Sequence, residues 1–178
     1  LGKIQAGQEV LIVGASGSIG TAGVQLAKHF GTTVTAVCSG ANVELVRSLG
    51  ANHVIDYTKE DFTRNPTRYD LIFDIVGATS FDRCQSVLKP NGVFLQNIMG
   101  LPDMVRMLRT SISGGKKVKG GVAMENLGRM NFIAELVASG KLRPVIDRSY
   151  PLERIAEAFT YVERGHKKGN VVITVSHP

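Results

Sequence analysis

The chain has 178 residues, enough for one domain with a sizeable core, and its 43% apolar and 20% charged content is that of a globular protein. It holds no run of about 18 apolar residues, so no membrane-spanning helix is expected. The net charge of +6 falls wholly within residues 101–178, densest at Arg106, Arg109, Lys116, Lys117 and Lys119; without interleaved aromatics or a nucleic-acid motif it reads as a solvated surface or a field favouring an anionic cofactor, not a nucleic-acid interface.

Glu9 to Gly14 is a short β-branched apolar run that predicts a buried strand. Ile19, Gly23, Leu26, Ala27 and Phe30 then form a helical stripe closed by Gly31. Thr33 to Cys38 is a second strand. Asn42 is expected to cap a helix with Val43, Val46 and Leu49 inside. His53 to Ile55 and Asp70 to Val76 are the third and fourth strands. A helix from Ser80 to Leu88 is expected to end at Pro90-Asn91-Gly92, before a fifth strand from Val93 to Asn97. Beyond residue 100 the pattern predicts helices over Pro102–Thr110, Glu125–Ser139 and Leu152–Val162, and extended segments over Lys117–Ala123, Val145–Asp147 and Val171–Val175. Strands alternating with helices imply an α/β fold, a Rossmann-type doubly wound parallel sheet with helices on both faces.

Gly14-Ala15-Ser16-Gly17-Ser18-Ile19-Gly20 lies between the first strand and the first helix. Glycines there allow a sharp turn, close approach of the backbone to a pyrophosphate, and tight helix–strand packing, while the helix N-terminus offers free N–H groups to the anion. The Walker pattern is absent, since no Gly-Lys-Ser/Thr follows, so an ATPase or GTPase is not indicated. The end of the second strand, Val37 to Asn42, has no carboxylate to accept from a ribose 2′-OH. NADP(H) is therefore the preferred cofactor and NAD(H) the alternative, with Ser39 and Asn42 as donors to a 2′-phosphate. The nearest cations in sequence are Arg47 and Lys59, neither at an obvious contact position. No Tyr is followed by Lys at the spacing of a short-chain reductase. The four His and two Cys residues make no metal-ligand spacing, so no metal is expected. Cys38 and Cys84 read as free thiols, as in a reducing cytoplasm.

The stretches Gly14–Lys28, Val43–Tyr57, Asp70–Gly77 and Lys141–Tyr150, with the ending His166–Val172, resemble the medium-chain dehydrogenase/reductase superfamily, and within it the quinone oxidoreductase branch. The resemblance covers nearly the whole chain. It implies an NADPH-dependent oxidoreductase that reduces a quinone, carbonyl or activated alkene. The other expectations are an enoyl-reductase domain of a multidomain synthase or a non-catalytic dinucleotide-sensing module. Residues 1–140 would be the NAD(P)-binding domain. Residues 141–178 would return to a GroES-like catalytic domain that precedes this chain and is missing from it, so no catalytic residue is assigned. By the same resemblance Ser39, Asn42 and Tyr57 surround the adenosine ribose and its 2′-phosphate. Val76 and Gly77 lie near the cofactor's ribose, and Gln96, Asn97 and Ile98 approach the nicotinamide. Three departures stand out: Asn42 where relatives often have Lys, Gly40-Ala41 where many have Thr-Arg, and Asn170 where Lys is common. A homodimer paired through a sheet-edge strand near 117–123 is also implied, with a small-molecule substrate as the other partner.

Overall fold

A computed structural model describes residues 2–121 and 126–175. The elements run β1 (Glu9–Val13), α1 (Ser18–His29), β2 (Thr33–Cys38), α2 (Val43–Ser48), β3 (His53–Asp56), β4 (Tyr69–Asp74), α3 (Phe81–Cys84), β5 (Leu88–Gln96), α4 (Leu101–Ile112), β6 (Lys117–Gly120), α5 (Leu127–Ala138), β7 (Ile146–Pro151), α6 (Ile155–Glu163) and β8 (Asn170–Thr174). The first six strands form one sheet in the order β3-β2-β1-β4-β5-β6. Every pairing in it is parallel. This is the Rossmann order, and the chain reverses direction across the sheet between β1 and β4, which opens a crevice at the carboxyl ends of the strands.

The strands are apolar on both faces because both faces are covered. Side chains alternate along β1: Leu11 and Val13 enter one core with Ile72, Phe94, and Phe81 and Cys84 of α3. Val10 and Ile12 enter the other with Val24 and Ala27 of α1 and Val46 of α2. β7 and β8 make a separate parallel pair crossed over by α6. Gln25 of α1 ties the approach to this unit: its Nε2 donates to the Arg143 carbonyl and its Oε1 accepts from the Arg143 N–H, at 3.0 and 2.8 Å.

Three expectations change. The helix expected from Ser80 to Leu88 is α3 plus a 3-10 turn over Gln85–Val87, and Leu88 already belongs to β5. Tyr69 pairs with Leu88 and Leu71 with Val93, so Pro90-Asn91-Gly92 is an excursion inside the strand. Gly92 is required there, since a Cβ would lie 3.0 Å from the Tyr69 carbonyl. Asn42 precedes α2 but makes no side-chain cap; its amide is engaged elsewhere. The strand expected to Ala123 is described only over Lys117–Gly120, and the rest of that expectation, with Glu125 of the following helix, lies partly outside the described residues.

Helix α4 has no buried residue, and Leu101, Met104, Val105, Leu108 and Ile112 make an exposed apolar stripe along it. Leu127 and Met130 on α5 and Phe159 on α6 are exposed as well. No helix among the described residues is long and apolar enough to cross a membrane.

Candidate functional site

The glycine turn stands at the carboxyl end of β1, and its three glycines have different reasons to be there. Gly14 has φ +82°, and a Cβ on it would come within 2.7 Å of Val76 Cγ1. Its N–H and that of Ala15 both donate to the Val37 carbonyl, at 3.2 and 3.1 Å, pinning the turn to β2. A Cβ on Gly20 would stand 2.6 Å from the Ala15 carbonyl carbon, so α1 could not approach the turn. Gly17 is unlike both. Its backbone is extended, at φ −79° and ψ −179°. A Cβ there would meet nothing closer than the Gly14 carbonyl at 3.7 Å. Neither backbone conformation nor packing demands glycine at 17. That leaves open space against the backbone at 17, where a ligand could approach. Gly17 also precedes α1 without a side-chain cap, which leaves the first-turn N–H groups for an anion.

A cavity of about 720 Å³ opens in front of this turn. Gly14, Ser16 and Gly17 form one end, and Cys38, Ser39 and Asn42 the floor beyond β2. Residues 57–62, Val76, Ala78, Arg83, His166 and Lys167 line the rest. Asn42 Nδ2 donates to Ser16 Oγ at 3.1 Å and to Ser39 Oγ at 3.2 Å, so one amide holds the two hydroxyl-bearing loops together. Its Oδ1 is buried without a partner. Tyr57 and Val76 are 55% and 53% exposed, large apolar surfaces presented at strand ends. These features fit a dinucleotide: a phosphate seat at Gly17, hydroxyl donors on the floor, and apolar walls for rings.

Of the other sequence-selected residues, Ala15 is fully buried behind the turn. Ser18 faces the C-terminal segment, Ile19 is exposed, and Gly20 packs on Ala15. Gly77, Gln96, Asn97 and Ile98 lie outside the cavity wall, across β4. Gln96 is buried with Oε1 unpartnered, the Asn97 N–H donates to the Asp74 carbonyl, and Ile98 approaches Gly77. Asp74 organises this side. Its Oδ1 accepts from the N–H groups of Val76, Gly77 and Ala78, and its Oδ2 from Thr79, at 2.9–3.2 Å. Asp74 is fully buried, so the carboxylate fixes the strand-end loop that carries Val76 into the cavity.

The residues that sequence reasoning missed come from the far end of the chain. Gly165, His166 and Gly169 all have positive φ, at +72°, +65° and +55°, and shape a hook that lands on the glycine turn. The Gly169 N–H donates to the Ser16 carbonyl at 2.8 Å. Ser18 Oγ donates to the Gly169 carbonyl at 2.7 Å. Lys167 Nζ donates to that same carbonyl at 2.6 Å and to Ser18 Oγ. Among the described residues no carboxylate pairs with Lys167. A cation near the positive end of α1 is mildly unfavourable, and an anion at that helix end would offset it. Two glycines bracketing His166-Lys167-Lys168 were the visible signal of the hook; its landing place was not.

Among the described residues no group of three or more His, Cys, Asp or Glu side chains could hold a metal ion. Cys38 and Cys84 are buried and unpaired. Burial pushes both thiols up to about 11, helped at Cys38 by the Asp56 charge. These residues do not fit a zinc site.

Comparison with known proteins agrees with this geometry. The zinc-binding dehydrogenase family model matches residues 49–173. The mitochondrial NAD(P)H oxidoreductase RTN4IP1 of Mus musculus is 38% identical over 191 residues, covering 95% of this chain and 48% of that protein. The chloroplastic NADPH-dependent alkenal/one oxidoreductase of Arabidopsis thaliana is 37% identical, covering 96% of this chain and 42% of that protein. The quinone oxidoreductase structure from Coxiella burnetii superposes with a TM-score of 0.85 at 30% identity, over 98% of this chain and 55% of that one. The chain thus spans about half the length of the curated relatives it matches. With the Rossmann strand order, the glycine turn and these matches together, the chain belongs to the zinc-binding dehydrogenase family, within the medium-chain dehydrogenases/reductases.

Proposed function

We propose that this chain is the cofactor-binding portion of an NADPH-dependent oxidoreductase acting on a quinone, a carbonyl compound or an activated alkene. The observation that carries this reading is the open space in front of Gly17, at the uncapped start of α1 and beside Lys167, which pairs with no carboxylate among the described residues. The turn and Lys167 would hold the pyrophosphate. Ser16, Ser39, Asn42 and Tyr57 would hold the adenosine ribose, and Val76 would pack on the cofactor where Asp74 sets its loop. Gly77, Gln96, Asn97 and Ile98, at the ends of β4 and β5, would approach the nicotinamide. The bound nicotinamide would supply the hydride; these residues bind and orient it and keep water from its face.

Relatives named NAD(P)H and NADPH-dependent oxidoreductases support a nicotinamide cofactor, and the missing carboxylate at the end of β2 supports the phosphorylated form. The exposed apolar stripe of α4 and the exposed faces of α5 and α6 support a further catalytic domain packed against residues 1–140 and reached by 141–178. Edge strand β6 is the proposed homodimer contact, to be checked by light scattering. The unpaired thiols support residence in a reducing compartment. We favour the cytoplasm; cell fractionation separates that from the organelles in the relatives' names.

Calorimetric titration with NADPH and NADH tests the cofactor, with tighter NADPH binding expected. Steady-state NADPH oxidation by the full-length protein with quinones and enones tests the reaction. Tight NADPH binding with no turnover across such a panel would leave a sensing module instead.

A further inference from the structure

The loop that follows β2 poses a problem for a cofactor carrying a 2′-phosphate. Residues 39–42 are Ser-Gly-Ala-Asn, with no cation, and the Asn42 amide is already spent on Ser16 and Ser39. The phosphate's charge needs a partner from elsewhere. Of the sequence neighbours, Arg47 is excluded, because it pairs with Glu44 on the outer surface of α2 and lines no part of the cavity. The Lys and Arg side chains on the cavity wall are Lys59, Arg83 and Lys167. Arg83 is engaged by Asp61 at 3.2 Å. Lys167 is anchored at the glycine turn, the pyrophosphate end.

Lys59 is placed differently. It stands two residues past Tyr57, whose N–H donates to the Cys38 carbonyl, it lines the cavity, and its side chain is 78% exposed. Its one ion pair is loose: Nζ lies 3.5 Å from Asp56 Oδ2, beyond good hydrogen-bond length, and that oxygen has no hydrogen-bond partner. Asp56 is in register with Cys38, and its Oδ2 sits 2.5 Å from where a Gly40 Cβ would be. The carboxylate therefore holds the Lys59 ammonium beside the Ser39–Asn42 loop in a long ion pair whose lysine side is open to solvent.

We infer that Lys59 reads the 2′-phosphate of the dinucleotide, replacing from the end of β3 the cation that the loop after β2 lacks. The cavity's charge is then divided: Lys167 serves the pyrophosphate, common to NADPH and NADH, and Lys59 serves the group that distinguishes them. The inference rests on the NADP(H) reading above.

The test is the ratio of Kd values for NADPH and NADH in the full-length protein, for the wild type and for Lys59→Met, Lys59→Arg and Lys167→Met. Lys59→Met should weaken NADPH about tenfold and leave NADH within twofold, as befits loss of one charge-assisted contact. Lys59→Arg should restore the preference. Lys167→Met should weaken both cofactors alike and keep the ratio. If the wild type prefers NADPH but Lys59→Met keeps the full preference, or weakens both cofactors equally, the assignment of Lys59 is wrong while the cofactor reading stands. If the wild type binds both cofactors equally, the cofactor reading fails and the assignment fails with it. A melting temperature of Lys59→Met within a few degrees of wild type would show that the ratio reports recognition, not unfolding.

Discussion

Gly17→Ala separates a glycine kept for folding from one kept for a ligand. In the protein alone the added methyl meets only the Gly14 carbonyl at 3.7 Å, an ordinary contact, and the backbone is extended, a conformation any residue adopts. The cost to stability is that of placing Ala at a helix N-cap, about 1 kcal/mol. For a chain of this size that lowers Tm by about 2–4 °C. The effect on binding should be larger. The methyl occupies the space through which the pyrophosphate would reach the first-turn N–H groups, and losing one or two charge-assisted hydrogen bonds, at about 1.5–3 kcal/mol each, weakens binding by at least about tenfold. Calorimetric titration with NADPH, alongside thermal melting of the free protein, reads both quantities. Gly20→Ala is the contrast: its methyl would lie 2.6 Å from the Ala15 backbone, so it should destabilise the free protein by about 1–3 kcal/mol or more. A Gly17→Ala protein that binds NADPH like wild type would refute the placement of the phosphate. One that fails to fold would refute the argument from open space.

Asp74→Ala strips the acceptor from four backbone N–H groups, and a loss of at least about 3 kcal/mol is expected in chemical denaturation, since buried donors are left unpaired; a change below about 1 kcal/mol would mean the loop does not depend on that carboxylate. The Thr63 N–H, then its hydroxyl, and then Arg83 hold the Asp61 carboxyl below its usual range. A depressed folded pKa contributes stability that is complete above the unfolded value and lost as pH falls through the folded one, so Asp61→Asn should flatten part of the acid limb below about pH 4 in a stability–pH series and leave neutral pH unchanged in slope. With thiols near 11, Cys38 and Cys84 should resist a disulfide reagent at pH 8, where about one in a thousand is ionised, and both should react at once in denaturant; rapid labelling of the native protein would show that they are not sealed.

The alternation of strands and helices, and the glycine turn between β1 and α1, were legible in the residues because they rest on local physics. Apolar periodicity selects strand or helix, and glycines mark where φ or close approach forbids a side chain. The parallel order followed, since strands separated by helices return to a sheet in one sense. Local signals misled at Asn42, a plausible cap whose amide instead bridges Ser16 and Ser39, and at Pro90-Asn91-Gly92, a turn that lies within a strand. They could not rank Arg47 against Lys59, because neither position shows its partner until α2 turns Arg47 to Glu44 and the register of β3 brings Lys59 to the cavity. Nor could they place Lys167, which reaches Ser18 from 149 residues away. The sequence by itself determined the sheet, its crevice and the glycine turn, each encoded in a short contiguous stretch. Only the tertiary structure decided which charges share that crevice, because its walls are strand ends and a C-terminal hook that meet only when the parallel crossovers have closed.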